Sequence, residues 1–186
     1  MPTILVRADG RDAVWLLALV NRGCRLIGYG TGLRDLHERC IPITAVVLPQ
    51  PSAQRSDDIG HTWDPSRALS HLEATASPED LVVLRPHVRH TLPWAAALVD
   101  WATTLLERHR IDLVLTRNAH AIEDRAMVAA ARRGGVPTLH LPHGIHRSTM
   151  MEHLGDDATA PDRVVCYGPS SFRWYRAHGF GPERLL

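Results

Sequence analysis

The sequence predicts an α/β domain, Rossmann-like and doubly wound, with a mostly parallel sheet of about six or seven strands. Short apolar runs alternate with helical patterns along most of the 186 residues. The first unit combines an apolar run at 3–7, an apolar helix candidate at 13–22 and a second run at 24–29. This βαβ rhythm favours parallel strands joined by right-handed crossovers. A hydrophobic content of 45% is sufficient for a packed core.

The first half of the chain carries this rhythm as far as residue 48. After a glycine-containing loop at 30–32, residues 33–39 favour a short helix and the apolar run 43–48 a third strand. Residues 49–62 are rich in Pro, Ser, Asp, Gln and Gly and contain few apolar side chains, which predicts a surface loop. The first half therefore contributes three strands to the predicted sheet.

The middle of the chain combines one short apolar run with two helical patterns. Residues 65–74 favour a helix, and the run Leu-Val-Val-Leu at 81–84 predicts a further short strand. The segment 85–90 is predicted to be a polar, partly basic loop, which either steers an anionic acceptor or is simply solvated. Thr91 is the predicted N-cap of a long helix over 92–109.

The last third of the chain repeats the alternation of strand and helix. The predicted elements are strands at 111–116, 138–141 and 163–167 and helices at 121–133 and 171–177. Pro142 cannot donate a hydrogen bond to a ladder, so strand pairing is predicted to stop there.

The composition excludes several classes of function. The net charge is +1, so no attraction to nucleic acid or to an anionic membrane is indicated. All 21 basic residues are arginine, and the lack of lysine rules out a Walker-type phosphate loop and lysine Schiff-base chemistry. The three cysteines form no CxxC pair, which fits a reducing cytoplasm. The chain begins directly with a β-run rather than a signal peptide, and Asp100 interrupts its longest apolar helix candidate, so we expect no transmembrane segment.

Polar dipeptides follow three of the predicted strands at the point where each strand ends. They are Asp9-Gly10, Arg117-Asn118 and His143-Gly144. The carboxyl ends of parallel strands meet at one edge of a sheet, and open α/β sheets bind their ligands at that edge. We therefore expect these dipeptides to belong to one site.

Each dipeptide has a functional and a purely structural interpretation, and for Asp9-Gly10 the structural one is a tight turn. Arg117 can clamp a phosphate or carboxylate, and Asn118 can bond a sugar hydroxyl. The alternative is a solvated loop in which Asn118 caps the next helix. Gly144 lets a ligand approach the backbone beside the His143 imidazole, unless both only form a strand-ending turn. The acidic pair at 123–124 is interpreted as favourable charge in the first turn of a helix.

Two further patterns suggest ligand sites without matching them closely. His140, His143 and His146 are three residues apart, a spacing that suits metal ligation on a helix. This segment is predicted as strand and loop, however, and there the first two side chains point to opposite faces. No metal is therefore predicted, and a small metal hydrolase is the corresponding alternative. The glycine-rich run 28–32 lacks the order of a dinucleotide-binding fingerprint, so no such cofactor is predicted.

Three segments of the chain occur in an order typical of one enzyme family. They are the strand-loop-helix unit 111–133, the segment GVPTLHLPHG at 135–144 and the segment PDRVVCYGPSSFRWYRAHGFGPERL at 161–185. Together they resemble the N-terminal half of GT-B type glycosyltransferases, above all the branch that makes bacterial surface and capsular polysaccharides. Sugar-nucleotide 2-epimerases share that architecture. His143-Gly144 matches a "QHG" or "PHG" strand end at the interdomain cleft of these families, and the matches in the crossing segment are Asp162, Gly168, Tyr175 and Gly179.

The resemblance implies an organisation and a set of site residues. Residues 1–160 would form the acceptor-side domain, and the strand-helix segment 161–186 would lead toward an absent second domain. The first loop of such folds lies near the acceptor, so Asp9 on that loop would act as the catalytic base. His143, at the strand end of the cleft, is the other candidate for this base. The substrate-binding residues would be Gly10, Arg117, Asn118, His143, Gly144, Gly168 and Ser170.

The implied function is that of the acceptor-side half of a nucleotide-sugar-dependent glycosyltransferase in surface polysaccharide biosynthesis. The substrates would be a nucleotide sugar and a glycan or lipid-linked acceptor, with no metal and no cofactor, because helix N-termini of the second domain would stabilise the donor phosphates. Such a half is expected to be inactive alone and to be completed by a continuation or a partner chain. The expected location is the cytoplasm, either free or peripheral to the membrane. Besides the metal hydrolase, two alternatives stay open: a fragment of a 2-epimerase, and a non-catalytic module that binds a glycan or a partner.

Overall fold

A computed structural model of the protein describes residues 1–49, 65–118, 121–142, 155 and 158–186. Within these ranges six parallel strands form a sheet with the order β3-β2-β1-β4-β5-β6. The strands are β1 Thr3–Arg7, β2 Arg25–Tyr29, β3 Ile43–Ala45, β4 Leu113–Thr116, β5 Thr138–His140 and β6 Arg163–Val164. The predicted α/β class and parallel sheet are confirmed, and β3 and β6 are shorter than their apolar runs suggested.

Helices cover both faces of the sheet. The helices of the described ranges are α1 Ala13–Asn21, α2 Leu33–Glu38, α3 Pro65–Thr75, α4 Pro78–Pro86, α5 Leu92–His109, α6 Ile122–Arg133 and α7 Pro169–Ala177. Successive side chains of a strand point to opposite faces, which divides the core in two. Leu5 of β1 packs with Leu105 of α5, whereas Ile4 and Val6 pack with Leu16 of α1. This two-sided cover is the doubly wound arrangement that the sequence predicted.

The strand order reverses at β1, and this reversal positions the site. The chain runs from β1 through β2 to β3 on one side, and then crosses to β4 on the other side of β1. The loops that leave β1 and β4 consequently turn toward opposite faces. In open α/β sheets the crevice between two such loops is the usual place for a ligand.

The strand predicted at Leu81–Leu84 is wrong, because these residues lie in α4. A short apolar run cannot by itself distinguish a strand from a helix. The helix start is specified just upstream, where the Ser77 hydroxyl accepts a hydrogen bond from the backbone N–H of Asp80 and Pro78 occupies the first helical position. Three of the four apolar side chains are also solvent-exposed, Val82 by 75%, Val83 by 61% and Leu84 by 37%, so the run is not a core strand.

The basic loop predicted at Arg85–His90 is also helical. Pro86 ends α4, and the chain continues through a single π-helical turn, His87–Thr91, directly into α5. A proline removes one backbone donor from a helix, and a wider turn accommodates this defect. Thr91 makes no side-chain capping bond, so its predicted role as an N-cap is not borne out.

The C-terminal segment extends the same sheet. β6 pairs with β5, and Val164 forms a parallel bridge with Leu185 near the end of the chain. Tyr175 of α7 and Phe180 are buried with Val164 in a third apolar cluster. The division of the chain at residues 160 and 161 stays a prediction. Among the described residues, no helix combines the length and the apolar character needed to cross a bilayer.

Candidate functional site at the carboxyl edge of the sheet

A cavity of about 310 Å³ lies where the strand order reverses, between the loops that follow β1, β2 and β4. Its lining residues are Arg7, Ala8, Asp9, Arg11, Thr31, Gly32, Asp35, Arg117 and Asn118. Of the predicted site residues, Asp9, Arg117 and Asn118 therefore meet at one cavity. Gly10 is the residue between two lining residues of the β1 loop.

The buried carboxylate of Asp124 organises the loop after β4. One oxygen, Oδ2, accepts hydrogen bonds from the backbone N–H groups of Arg117 and Asn118, both at 2.8 Å. The other, Oδ1, accepts from Arg7 Nη1 at 2.8 Å and from the Tyr29 hydroxyl at 3.1 Å. Asp124 is 1% exposed, and burial together with this carboxylate raises the pKa of Tyr29 well above its ordinary value. Asp124 lies in the first turn of α6, as predicted, but its main contacts are with strand ends.

The side chain of Arg117 connects two parts of the site. Its Nη2 lies 2.8 Å from Asp12 Oδ1, and its Nη1 donates to the carbonyl of Leu141 at 2.7 Å and to that of Pro142 at 3.3 Å. The residue is only 8% exposed, and its guanidinium lies over the ring of Trp15. Arg117 therefore connects the start of α1 with the end of β5. Contact with a phosphate or carboxylate ligand stays a prediction for this residue.

Asp12 is a buried residue of the site that the sequence analysis missed. Its Oδ1 also accepts a hydrogen bond from Trp15 Nε1 at 2.9 Å, while its Oδ2 has no hydrogen-bond partner among the described residues. Burial raises the pKa of this carboxyl group above its ordinary value. The available signal was the DGRD turn, which carries a second aspartate directly before α1.

The carboxylate of Asp9 is held by its neighbour Arg11. The guanidinium donates from Nε to Oδ1 at 3.0 Å and from Nη2 to Oδ2 at 2.6 Å, and the Arg11 backbone N–H also donates to Oδ1. The side-chain hydrogen bond from Arg11 is the main reason that the pKa of Asp9 falls to about 2. A carboxylate with this pKa is a weak base near neutral pH. Asp9 could accept a proton from a substrate more readily if the pair with Arg11 opened.

The glycine-rich loop after β2 forms one wall of the cavity by close backbone packing. A Cβ atom on Gly32 would lie 2.6 Å from the carbonyl oxygen of Ala8 and 2.6 Å from Cα of Asp9. Gly30 has a φ of +100°, which side chains rarely tolerate. These two glycines bring the loops after β1 and β2 together, so the run has a clear packing role.

Asp35 of α2 is a second lining residue that the sequence analysis missed. Its side chain is exposed and lies at the cavity, and it forms no ion pair with any residue in the described ranges. A signal was present, because α2 begins directly after the loop of β2 and so starts at the same edge of the sheet as the predicted site.

The histidine series is described only at its first member. His143, Gly144 and His146 lie outside the described residues, so their predicted roles stay predictions. His140 is 1% exposed in β5, and its Nδ1 lies 3.0 Å from the Thr116 hydroxyl oxygen. Within the described ranges no three His, Cys, Asp or Glu side chains come together as metal ligands.

Gly168 and Ser170 lie at the end of β6, separated from β4 by β5. Gly168 has a φ of +137° and begins α7, and Ser170 is exposed in its first turn. Neither residue lines the cavity. The Tyr167 hydroxyl, one residue earlier, donates a hydrogen bond to the Pro142 carbonyl and so links this loop to the end of β5. Substrate binding by Gly168 and Ser170 stays a prediction.

The fold is similar to part of several solved glycosyltransferases. A glycosyltransferase from Rickettsia africae matches all of this chain and 42% of its own length, with a TM-score of 0.56 and 13% identity. MurG from Acinetobacter baumannii matches at a TM-score of 0.51 and 15% identity, and the lipopolysaccharide outer core galactosyltransferase WaaB at 0.52 and 11%. The chain covers 44% of each of these two proteins. No family model matches the sequence, and no curated protein does.

These likenesses establish the fold. The chain aligns over its whole length and spans less than half of each of these solved structures. The predicted likeness to the N-terminal, Rossmann-like domain of a GT-B type enzyme is confirmed at the level of architecture. What the chain binds is a separate question, which the geometry of the cavity addresses.

Proposed function

We propose that this chain is the acceptor-side half of a nucleotide-sugar-dependent glycosyltransferase. The observation that carries the proposal is the cavity at the reversal of the strand order. The chain that contains this cavity has the fold of one part of two solved glycosyltransferases, and it covers less than half of the length of each. Acceptor binding at this edge agrees with the general placement of ligands in open α/β sheets.

In this proposal the chain binds the acceptor, and a second domain binds the nucleotide sugar. That domain would come from a longer chain or from a partner. The acceptor hydroxyl oxygen would attack the anomeric carbon, the bond to the nucleoside diphosphate would break, and the hydroxyl proton would pass to a base. Asn118 would bond a sugar hydroxyl, and the base would be Asp9 or His143. Of these two residues, His143 is the better candidate for the base, because the ion pair with Arg11 lowers the pKa of Asp9 to about 2.

The biological setting is part of the same proposal. A role in surface polysaccharide synthesis is supported by the motif resemblance at 135–144 and 161–185 and by the fold likeness to WaaB. A glycan or lipid-linked acceptor and a cytoplasmic location, free or peripheral to the membrane, would follow from that role. Deletion of the gene and electrophoresis of the surface polysaccharide would test it, since the proposal expects a truncated or missing polymer.

The site itself can be tested with the purified chain. Titration of the ¹⁵N-labelled chain with glucose should shift the amide resonances of Thr31, Gly32 and Asn118, which line the cavity. Shifts should be small at Asp100, which is exposed on α5 and does not line the cavity. Shifts confined to other surfaces, or no shifts at molar concentrations of glucose, would contradict an acceptor site in this cavity.

Catalysis by the isolated chain is the second test. We expect the purified chain to leave UDP-glucose and UDP-N-acetylglucosamine unchanged, because the donor site would belong to the second domain. Transfer or hydrolysis by this chain alone would contradict the proposal. Formation of a C2-epimerised nucleotide sugar would instead support the 2-epimerase alternative, and sugar binding without turnover even beside a donor domain would support the binding module.

A further inference from the structure

Among the described residues, each arginine that lines the cavity is paired with an aspartate. The N···O distances are 2.8 Å for Arg7–Asp124, 2.6 Å for Arg11–Asp9 and 2.8 Å for Arg117–Asp12. Glu123 adds a second carboxylate to Arg7 at 3.7 Å. The positive charges of the cavity wall are therefore compensated by the protein itself, and a bound anion would compete with carboxylates that are already in place.

Asp35 supplies a negative charge that is not compensated in this way. It lines the same cavity, and no cation of the described ranges forms an ion pair with it. The neighbouring Arg34 on α2 forms an ion pair with Glu38 at 3.8 Å. An exposed carboxylate accepts hydrogen bonds from hydroxyl or ammonium groups and repels phosphates.

We infer that the cavity selects a sugar that is uncharged or carries an amino group, and that it disfavours an anionic sugar, with Asp35 as the residue that decides this preference. The inference rests on the proposed function, because it names the acceptor class of the same site. It differs from the sequence-based prediction, in which Arg117 clamps a phosphate or carboxylate. The guanidinium of Arg117 is already bonded to Asp12 and to the Leu141 and Pro142 carbonyls.

Three probes that share one ring separate these possibilities: glucosamine, glucose and glucose 6-phosphate. Affinities would be measured from the amide shifts of the ¹⁵N-labelled chain at low ionic strength and mildly acidic pH, where the amine is protonated. The expected order is glucosamine, then glucose, then glucose 6-phosphate, with roughly tenfold between the first and the last, since unit charges a few ångströms apart in water interact weakly. In 1 M salt the difference should shrink to about twofold or less.

Asp35→Asn is the decisive variant. The substitution keeps the size and exposure of the side chain and removes its charge, so the ratio of glucosamine affinity to glucose 6-phosphate affinity should fall severalfold, on the order of fivefold. Asp100→Asn, at an exposed aspartate of α5, is the matched control and should leave the ratio unchanged. Tightest binding of glucose 6-phosphate, or an unchanged ratio in the Asp35 variant, would overturn the inference while leaving the acceptor site intact. Failure of all three probes to bind would overturn the proposed function and this inference with it.

Discussion

The two walls of the cavity are built in different ways. On the β4 side, Asp124 accepts four hydrogen bonds, two of them from the backbone of the loop that it holds. On the β1 side, Asp12 is also buried, but one of its oxygens has no hydrogen-bond partner among the described residues. A fully satisfied buried group fixes its surroundings, whereas a partly satisfied one adds a desolvation penalty. We therefore expect the β4 wall to be the rigid one, with the larger loss of stability on mutation, and the β1 wall to be the one whose stability changes with pH.

Among the variants that compare the two walls, removal of the Asp124 carboxylate should cause the largest loss of stability. Asp124→Ala leaves the Arg7 guanidinium, the Tyr29 hydroxyl and two loop N–H groups without their acceptor, so we expect a loss of about 3–5 kcal/mol in the free energy of unfolding. Urea denaturation measures it. Glu123→Gln, in the same helical turn, is the control and should change stability by less than about 1 kcal/mol, because its ion pair is longer and more exposed. Equal effects of the two substitutions would show that the buried carboxylate does not organise the loop.

Removal of Arg117 tests the connection between the two walls. Arg117→Met should lower the free energy of unfolding by about 2–4 kcal/mol, since it leaves the buried Asp12 carboxylate without its cation. The double variant with Asp12→Asn should be less destabilised than the sum of the single variants, with a coupling of about 0.5–3 kcal/mol. Additive effects in this double-mutant cycle would mean that the ion pair contributes nothing specific.

The backbone contact of the β1 wall predicts a smaller effect. Gly32→Ala would push a methyl group against the Ala8 carbonyl and the Asp9 backbone, with a loss of about 1–3 kcal/mol in the free energy of unfolding. Gly134→Ala is the matched control, because the nearest atom to its Cβ lies 3.6 Å away and its backbone φ is negative. If both variants are equally stable, the two loops are not packed as closely as described.

The smallest expected effects are changes of stability with pH, which have opposite signs for the two β1-side carboxyl groups, Asp9 and Asp12. The lowered pKa of Asp9, about 2, contributes stability above its ordinary value of 3.8 that is lost as the pH falls through about 2. The raised pKa of Asp12 acts in reverse, since its protonation favours the folded state as the pH falls toward 3.8. Stability of the wild type relative to Asp9→Asn should therefore decrease with acidification, by less than about 1 kcal/mol because the pair is exposed. Relative to Asp12→Asn it should increase. Slopes of the same sign in both comparisons would contradict this assignment.

Part of the site followed from the sequence alone, because parallel strands bring their carboxyl ends to one edge. Asp9, Arg117 and Asn118 were predicted at that edge from strand ends, and all three line the cavity. The prediction required only the βαβ rhythm and the position of polar residues after apolar runs. The partners of these side chains were not predictable in this way. Arg117 and Asp12 are distant in the chain and meet because α1 and β4 flank the same crevice.

The incorrect predictions and the missed residues have a common physical origin, because each depends on tertiary contacts that a local pattern does not contain. The run at 81–84 is apolar enough for a strand, but it pairs with no strand of the described ranges, and the cap at Ser77 favours a helix. Asp35 and Asp12 were missed although each had a local signal, because a helix start at the site edge or a second aspartate in the DGRD turn does not show whether the carboxylate lies at a cavity or on the outer surface.

The alternation of apolar runs and helical segments thus determined the class of fold and the edge that carries the site, because periodicity and turn chemistry are local properties of the chain. Only the tertiary structure decided which charges are paired, which are buried and which face the cavity. For Arg7, Arg117, Asp12 and Asp124 those outcomes depend on contacts between segments that are far apart in sequence, and burial strongly raises the energy of a charge that lacks a partner.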